Sequence, residues 1–222
     1  MATGPLLAAG PQTCVTGVWN RTAQHAEELA AQLSVPAFAT LDALFDTCDA
    51  VAISISPVAQ PAIAVRAAAA GKAMLLEKPL GDSMESAQTV VDAVHEAGVG
   101  AIVMLSNRFN PRLDEFFTAA ARCEPVGGRA SFVSGALLGG PFATDWRIER
   151  GAVLDVGPHM LDMLEGALGP IIDVAAEGDP RSWVSMLFVH ESGATSVASL
   201  SLSVAAEGSS DIEVYGPKGS AR

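Results

Sequence analysis

The chain is poor in basic side chains, in aromatics and in cysteine, and it contains no long unbroken apolar run. Its 222 residues carry 13 Lys and Arg against 25 Asp and Glu, a formal charge of −12. Affinity for DNA or RNA rests on Lys and Arg that neutralise phosphates, so no nucleic-acid partner is expected, and acidic lipid surfaces are disfavoured on the same ground. Three cysteines, Cys14, Cys48 and Cys123, are too few and too scattered for a disulfide framework, and none has a C-x-x-C spacing. That usage fits a reducing cytoplasm. A membrane-spanning helix needs about 20 nearly uninterrupted apolar residues. The longest apolar region, Pro61 to Leu76, is broken by Arg66, Gly71 and Lys72 and reads as a buried helix followed by a strand. The N-terminal residues do not read as a signal peptide, because a charged region and a continuous apolar region are both missing.

What is present is core material: 50% of residues are hydrophobic and 17% charged, which argues for folding over disorder. The first hundred residues alternate short β-rich runs with alanine-rich helical stretches, the pattern of a parallel sheet with crossover helices. The expected order is a strand over Thr13 to Trp19, helices over Ala23 to Leu33 and Leu41 to Phe45, and a strand over Ala50 to Ile55. A helix over Ala59 to Ala70, a strand over Ala73 to Glu77, a helix over Ser83 to Ala97 with a Ser83/Ser86 capping box, and a strand over Ile102 to Leu105 follow. After Asn107 the rhythm changes. A helix is expected over Arg112 to Arg122, a strand over Arg129 to Leu137, a loop from Gly139 to Arg150 and a helix over Val153 to Leu168. Antiparallel strands should fill Ile171 to Tyr215, with Leu200, Leu202 and Val204 on one face and Ser199, Ser201 and Ser203 on the other. The fold class is therefore α/β, with one domain over residues 1–106 and an α+β domain with a mostly antiparallel sheet over 107–222. Both ends are expected to be cut: the turn Gly216-Pro217-Lys218-Gly219 has too few residues after it for a returning strand, and the helix-like piece Gly4 to Ala9 has no strand before it.

Three clusters have the residue types that chemistry needs. Glu77-Lys78-Pro79 ends an apolar strand, where open α/β sheets place their ligands. The competing reading is an ordinary charged pair at a strand end. Asp155, His159 and Asp162 are spaced four and three apart on one expected helix, so a carboxylate can hold the imidazole for acid/base work. A helix-capping Asp with a structural His, or a metal site, competes with that reading. Asn20-Arg21-Thr22 follows the first expected strand. Dinucleotide-binding folds put an Asp or Glu at the end of the second strand for the ribose 2′-hydroxyl and an Arg there for a 2′-phosphate. Arg21 with Asn20 and Thr22 therefore points to NADP, with NAD as the alternative, against a plain helix N-cap with a solvated Arg.

The run Ala67 to Leu80, the segment Ser106 to Pro111, and Gly151 to His159, in this order and at these separations, resemble the glucose-fructose oxidoreductase / inositol dehydrogenase / MocA family over nearly the whole chain. The resemblance implies an N-terminal Rossmann-type domain, here incomplete because the first strand and its G-x-G-x-x-G turn are absent, and a C-terminal domain that covers substrate and often forms an oligomer interface. It implies that Lys78 contacts the reacting hydroxyl and the nicotinamide ribose, that His159 is the acid/base, and that Asp155 stands beside it. Glu77 belongs to the same lysine motif. Trp146 and Arg147 match a loop element lining the substrate side and are counted with the cofactor-binding set; Ser56, Pro57 and Gln60 match the segment that borders the nicotinamide.

The expected activity is hydride transfer between NADP or NAD and a secondary alcohol of a sugar, polyol or related small molecule by a homo-oligomeric enzyme. The rival expectation is a non-catalytic or truncated relative acting as a binding or interaction protein, favoured by the missing glycine turn. A lyase or epimerase using Lys78 as a Schiff base is a third.

Overall fold

A computed structural model describes residues 3–222. The chain divides into two compact units, one running to Met104 and the other from Leu105 to Arg222.

In the first unit, α1 (Thr3–Ala9), α2 (Ala23–Leu33) and α3 (Leu41–Phe45) precede β1 (Ala50–Ile53). Then α4 (Gln60–Ala69), β2 (Ala73–Leu76), α5 (Met84–Ala97) and β3 (Ala101–Val103) alternate, and the three strands pair in parallel in the order β1-β2-β3. Local chemistry sets the helix ends. Thr40 Oγ1 accepts from Ala43 N at 3.2 Å at the start of α3. Ser83 and Ser86 form a reciprocal capping box at α5, each hydroxyl accepting from the other's N–H at 3.1 Å. Gly98 closes α5 at φ 65°, where a side chain would be strained. The core joins Val51 and Ile53 of β1 and Met74 and Leu76 of β2 to Ala64, Ala67 and Ala68 of α4, Val90 of α5, and Leu41 and Phe45 of α3. Three alanines on one face let α4 lie close against the strands.

The expected strand Thr13 to Trp19 is not formed; only an isolated bridge joins Val18 to Ala37. Val18 N donates to Pro36 O at 3.0 Å and Phe38 N to Val18 O at 2.8 Å. Pro36 has no N–H to extend that pairing, and β1 pairs with β2 instead.

The second unit opens with a 3₁₀ turn at Ser106–Phe109 and continues with α6 (Pro111–Cys123), β4 (Gly127–Val133), α7 (Asp145–Asp155) and α8 (Gly157–Leu168). Strands β5 (Ile171–Asp179), β6 (Trp183–His190), β7 (Thr195–Ser201), β8 (Ser209–Gly216) and β9 (Gly219–Ala221) complete a six-stranded sheet of order β5-β6-β7-β4-β8-β9. Only the β4–β7 pair is parallel. Met186, Ala198, Ala130 and Ile212 form one buried row across four strands, covered by Met160, Leu164 and Leu168 of α8 and Phe116 and Ala120 of α6. The next row, Leu187, Val197, Arg129 and Glu213, points to the opposite face, since side chains alternate along a strand.

Several expectations are corrected in this unit. The stretch Gly139 to Arg150 is not all loop, because α7 starts at Asp145, and Trp146 and Arg147 are helical. The expected helix Val153 to Leu168 is two. Pro158 has no N–H to give to the carbonyl four residues back, so the helical ladder breaks between α7 and α8. A second break lies at Gly151, φ 71°, where a Cβ would sit 2.0 Å from Pro180 O and where Ala152 N donates to that oxygen at 2.9 Å. The turn at Gly216 does have a returning strand, β9, which pairs Val214 with Ala221. The serine face is not a uniform surface either: Ser201 is fully buried and donates to Ser182 O, while Ser203 Oγ donates to Arg181 O at 2.8 Å.

On the outer sheet face, Glu213 accepts from Arg129 Nε at 2.7 Å and from the Tyr215 hydroxyl, and lies 3.2 Å from Arg222 Nε. The Arg129 hydrogen bond first, then that of Tyr215, pull its carboxyl down from the ordinary 4.5 to about 2. A depressed carboxyl stabilises the fold fully above the unfolded value and loses that contribution as pH falls through the folded one. The thermal midpoint of the wild type should therefore exceed that of Glu213→Gln above pH 4.5, with the gap closing toward pH 2. Parallel curves in differential scanning calorimetry across that range would contradict the assignment.

Candidate functional site

In the first unit, the chain leaves the carboxyl ends of β1 and β2 through Ser54-Ile55-Ser56-Pro57 and Glu77-Lys78-Pro79. Ser56 O receives the N–H groups of Ala59 and Gln60, both at 3.0 Å, and so starts α4; Ser54 Oγ lies 3.5 Å from Glu77 Oε1. Pro57 is buried and Ser56 half-buried. Lys78 is half-buried, and the Lys78–Pro79 peptide is cis.

Gln60 departs from the expectation of a cofactor contact. It is fully buried, and its carboxamide is used on the chain that carries Lys78: Oε1 accepts from Glu77 N at 2.8 Å, and Nε2 faces Glu77 O at 2.8 Å, Leu80 O at 3.1 Å and Pro79 O at 3.3 Å. An amide with both ends engaged below the surface is not offered to a ligand. No pattern in the sequence marks this, because the bonds join residues 17 to 20 positions apart.

Asn20, Arg21 and Thr22 stand at the entrance of α2, with Asn20 Oδ1 accepting from Thr22 N at 2.9 Å and Arg21 exposed. Thr22 is the N-cap residue, without a side-chain capping bond.

In the second unit, the Arg147 guanidinium lies over the Trp146 ring at 4.9 Å and the Phe142 ring at 5.8 Å, geometry for cation–π attraction. Its Nε is 3.3 Å from Asp155 Oδ2. Asp155 ends α7 and His159 lies half-buried in the first turns of α8, so the expectation of Asp155, His159 and Asp162 on one continuous helix is corrected. Asp162 belongs to another partner. Arg108 donates from Nε to Asp162 Oδ2 at 2.8 Å and from its terminal nitrogen to Asp162 O at 3.1 Å. That pair, 54 positions apart, and Arg147 with Asp155 are neighbourhoods that spacing did not reveal. A concavity of about 370 Å³ lined by Glu149, Leu154, Asp179 and Arg181 contains none of the residues singled out from the sequence.

Comparison with known proteins accords with this arrangement. Residues 1–105 match the family described as "Oxidoreductase family, NAD-binding Rossmann fold", and residues 88–222 match the "GFO/IDH/MocA C-terminal domain". A D-apiose dehydrogenase of Paraburkholderia graminis is 32% identical over 147 residues, covering 61% of this chain and 39% of that protein, so the matched part is about two fifths of the curated relative. The structure of GenD2 from gentamicin A biosynthesis in complex with NAD superimposes with a TM-score of 0.86 at 25% identity over 98% of this chain and 67% of that one. A UDP-N-acetylglucosamine 3-dehydrogenase of Acidithiobacillus ferrooxidans has the same fold, with a TM-score of 0.83 at 24% identity over 96% of this chain and 69% of its own. A partial Rossmann unit with its lysine at the end of β2, followed by the mixed six-stranded domain, places the chain in the GFO/IDH/MocA family of NAD(P)-binding oxidoreductases.

Proposed function

We propose that the chain is that of an NADP-dependent dehydrogenase, with NAD as the alternative cofactor, acting on a secondary alcohol of a sugar, polyol or related small molecule. The observation that carries this reading is Lys78, half-buried at the carboxyl end of the central strand of a parallel sheet, on a segment held by Gln60. That is where open α/β sheets receive ligands. The residues present fit the nicotinamide end of a dinucleotide: Ser56, Glu77 and Lys78 follow the ends of adjacent strands, and Arg21 at the α2 entrance suits a 2′-phosphate. Among the described residues no glycine-rich turn offers the pyrophosphate a helix N-terminus.

The bound dinucleotide supplies the hydride acceptor. His159 takes the hydroxyl proton at an imidazole nitrogen and returns it in the reverse direction. The Lys78 ammonium is a hydrogen-bond donor suited to an oxygen on which negative charge develops. Asp155 holds His159 in one tautomer, and Arg147, 3.3 Å from Asp155, holds that carboxylate in place. Trp146, stacked on Arg147, walls the substrate side.

Fluorescence titration of the 222-residue chain tests the cofactor reading. Micromolar NADPH affinity with weaker NADH is expected, and Arg21→Ala should remove the preference. Binding of neither nucleotide would overturn the cofactor reading for this chain.

A further inference from the structure

We propose that Gln60 is a positioning residue for Lys78: its buried carboxamide fixes the backbone of Glu77 to Leu80 and thereby aims the lysine. The proposal rests on the reading of Lys78 as the group that contacts the reacting oxygen.

The strand registers end at Leu76, which pairs with Ile53 on one side and Val103 on the other. Beyond that point the peptide groups of Glu77, Pro79 and Leu80 turn to a side chain for partners. Gln60 supplies an acceptor for one N–H and two amide hydrogens for three carbonyls, so at least one donor is shared. The amide itself is fixed. Gln60 is the first residue of α4, its own N–H is bonded to Ser56 O at 3.0 Å, and it has no exposed surface. A polar side chain with both ends satisfied below the surface has one orientation, and the chain bearing Lys78 inherits it.

The substitution Gln60→Glu separates positioning from space-filling. It keeps an acceptor for the Glu77 N–H but turns a second oxygen toward three carbonyls; an ionised carboxylate has no donor for them, whereas a protonated one has a single O–H and serves them in part. A defect that recovers in part on acidification is therefore expected. Val90→Ala, at another buried position of the same core, serves as a control that weakens the fold without touching residues 77–80.

The test uses the full chain and its Gln60→Ala, Gln60→Glu, Val90→Ala and Lys78→Ala variants. Lys78 is one of three lysines, so the ¹³C-methyl signal of reductively methylated protein reports on it directly, while amide exchange reports on Glu77. Gln60→Ala should shift the Lys78 signal, remove exchange protection at Glu77 and lower kcat about 100-fold with KM near wild type. Val90→Ala should lower the melting temperature alone. If Gln60→Ala does not fold, Gln60→Glu at low and neutral pH carries the comparison. A Lys78 signal and Glu77 exchange that do not differ between the Gln60 variants and Val90→Ala would overturn the proposal. Movement of the Lys78 signal with Gln60, combined with full turnover in Lys78→Ala, would uphold the positioning and overturn only the catalytic reading.

Discussion

Lys78→Ala is expected to lower kcat about 100- to 1,000-fold while leaving the fold in place. The magnitude is that of removing one preorganised donor from an oxygen where negative charge develops, about 3–4 kcal/mol. Lys78 lies outside the buried cluster of its unit, which is built from β1, β2, α3, α4 and α5, so truncating it opens no core cavity. Steady-state kinetics with saturating cofactor, beside a thermal melt, separate the two effects. A variant that melts like wild type and turns over within about threefold of it would remove Lys78 from the mechanism, since one donor at the reacting oxygen is worth far more than that.

The second large effect is expected at His159. General acid/base catalysis contributes about 100- to 10,000-fold, and His159→Ala should lose that amount from kcat. The pH profile is the sharper reading. A wild-type profile of kcat/KM contains a limb for the group that takes the proton; in His159→Ala that limb should vanish, and added imidazole should restore part of the rate. An unchanged profile would assign the proton to another group. His159 is half-buried at the start of α8, and the helix is anchored in the core through Met160, Met163, Leu164 and Leu168, so the variant should keep its structure.

These expectations also show how far the chain could be read in one dimension. The helices Ala23–Leu33 and Leu41–Phe45 and the Ser83/Ser86 cap were legible to the residue, because local spacing and capping chemistry act within a few positions. The parallel start and mostly antiparallel finish were legible from the alternation of patterns. Thr13 to Trp19 was misread because a strand is completed by its neighbour, and Pro36 leaves that neighbour short of a donor. The α7–α8 junction was misread although Pro158 was visible. The conformation of Gly151 is set by the approach of Pro180, 29 positions on, which no local pattern contains.

The sequence by itself determined the class of the molecule: an acidic, core-rich α/β chain with a lysine at a strand end and a histidine beside an aspartate, in the order of one oxidoreductase family. Tertiary structure decided which polar groups answer one another. It gave Asp162 to Arg108, set Asp155 beside Arg147, and turned Gln60 inward to hold the segment of Lys78. The physical reason is range. Propensity, capping and periodicity act over about one or two turns, whereas a buried amide or an ion pair is satisfied by whatever the folded chain brings within about 3 Å.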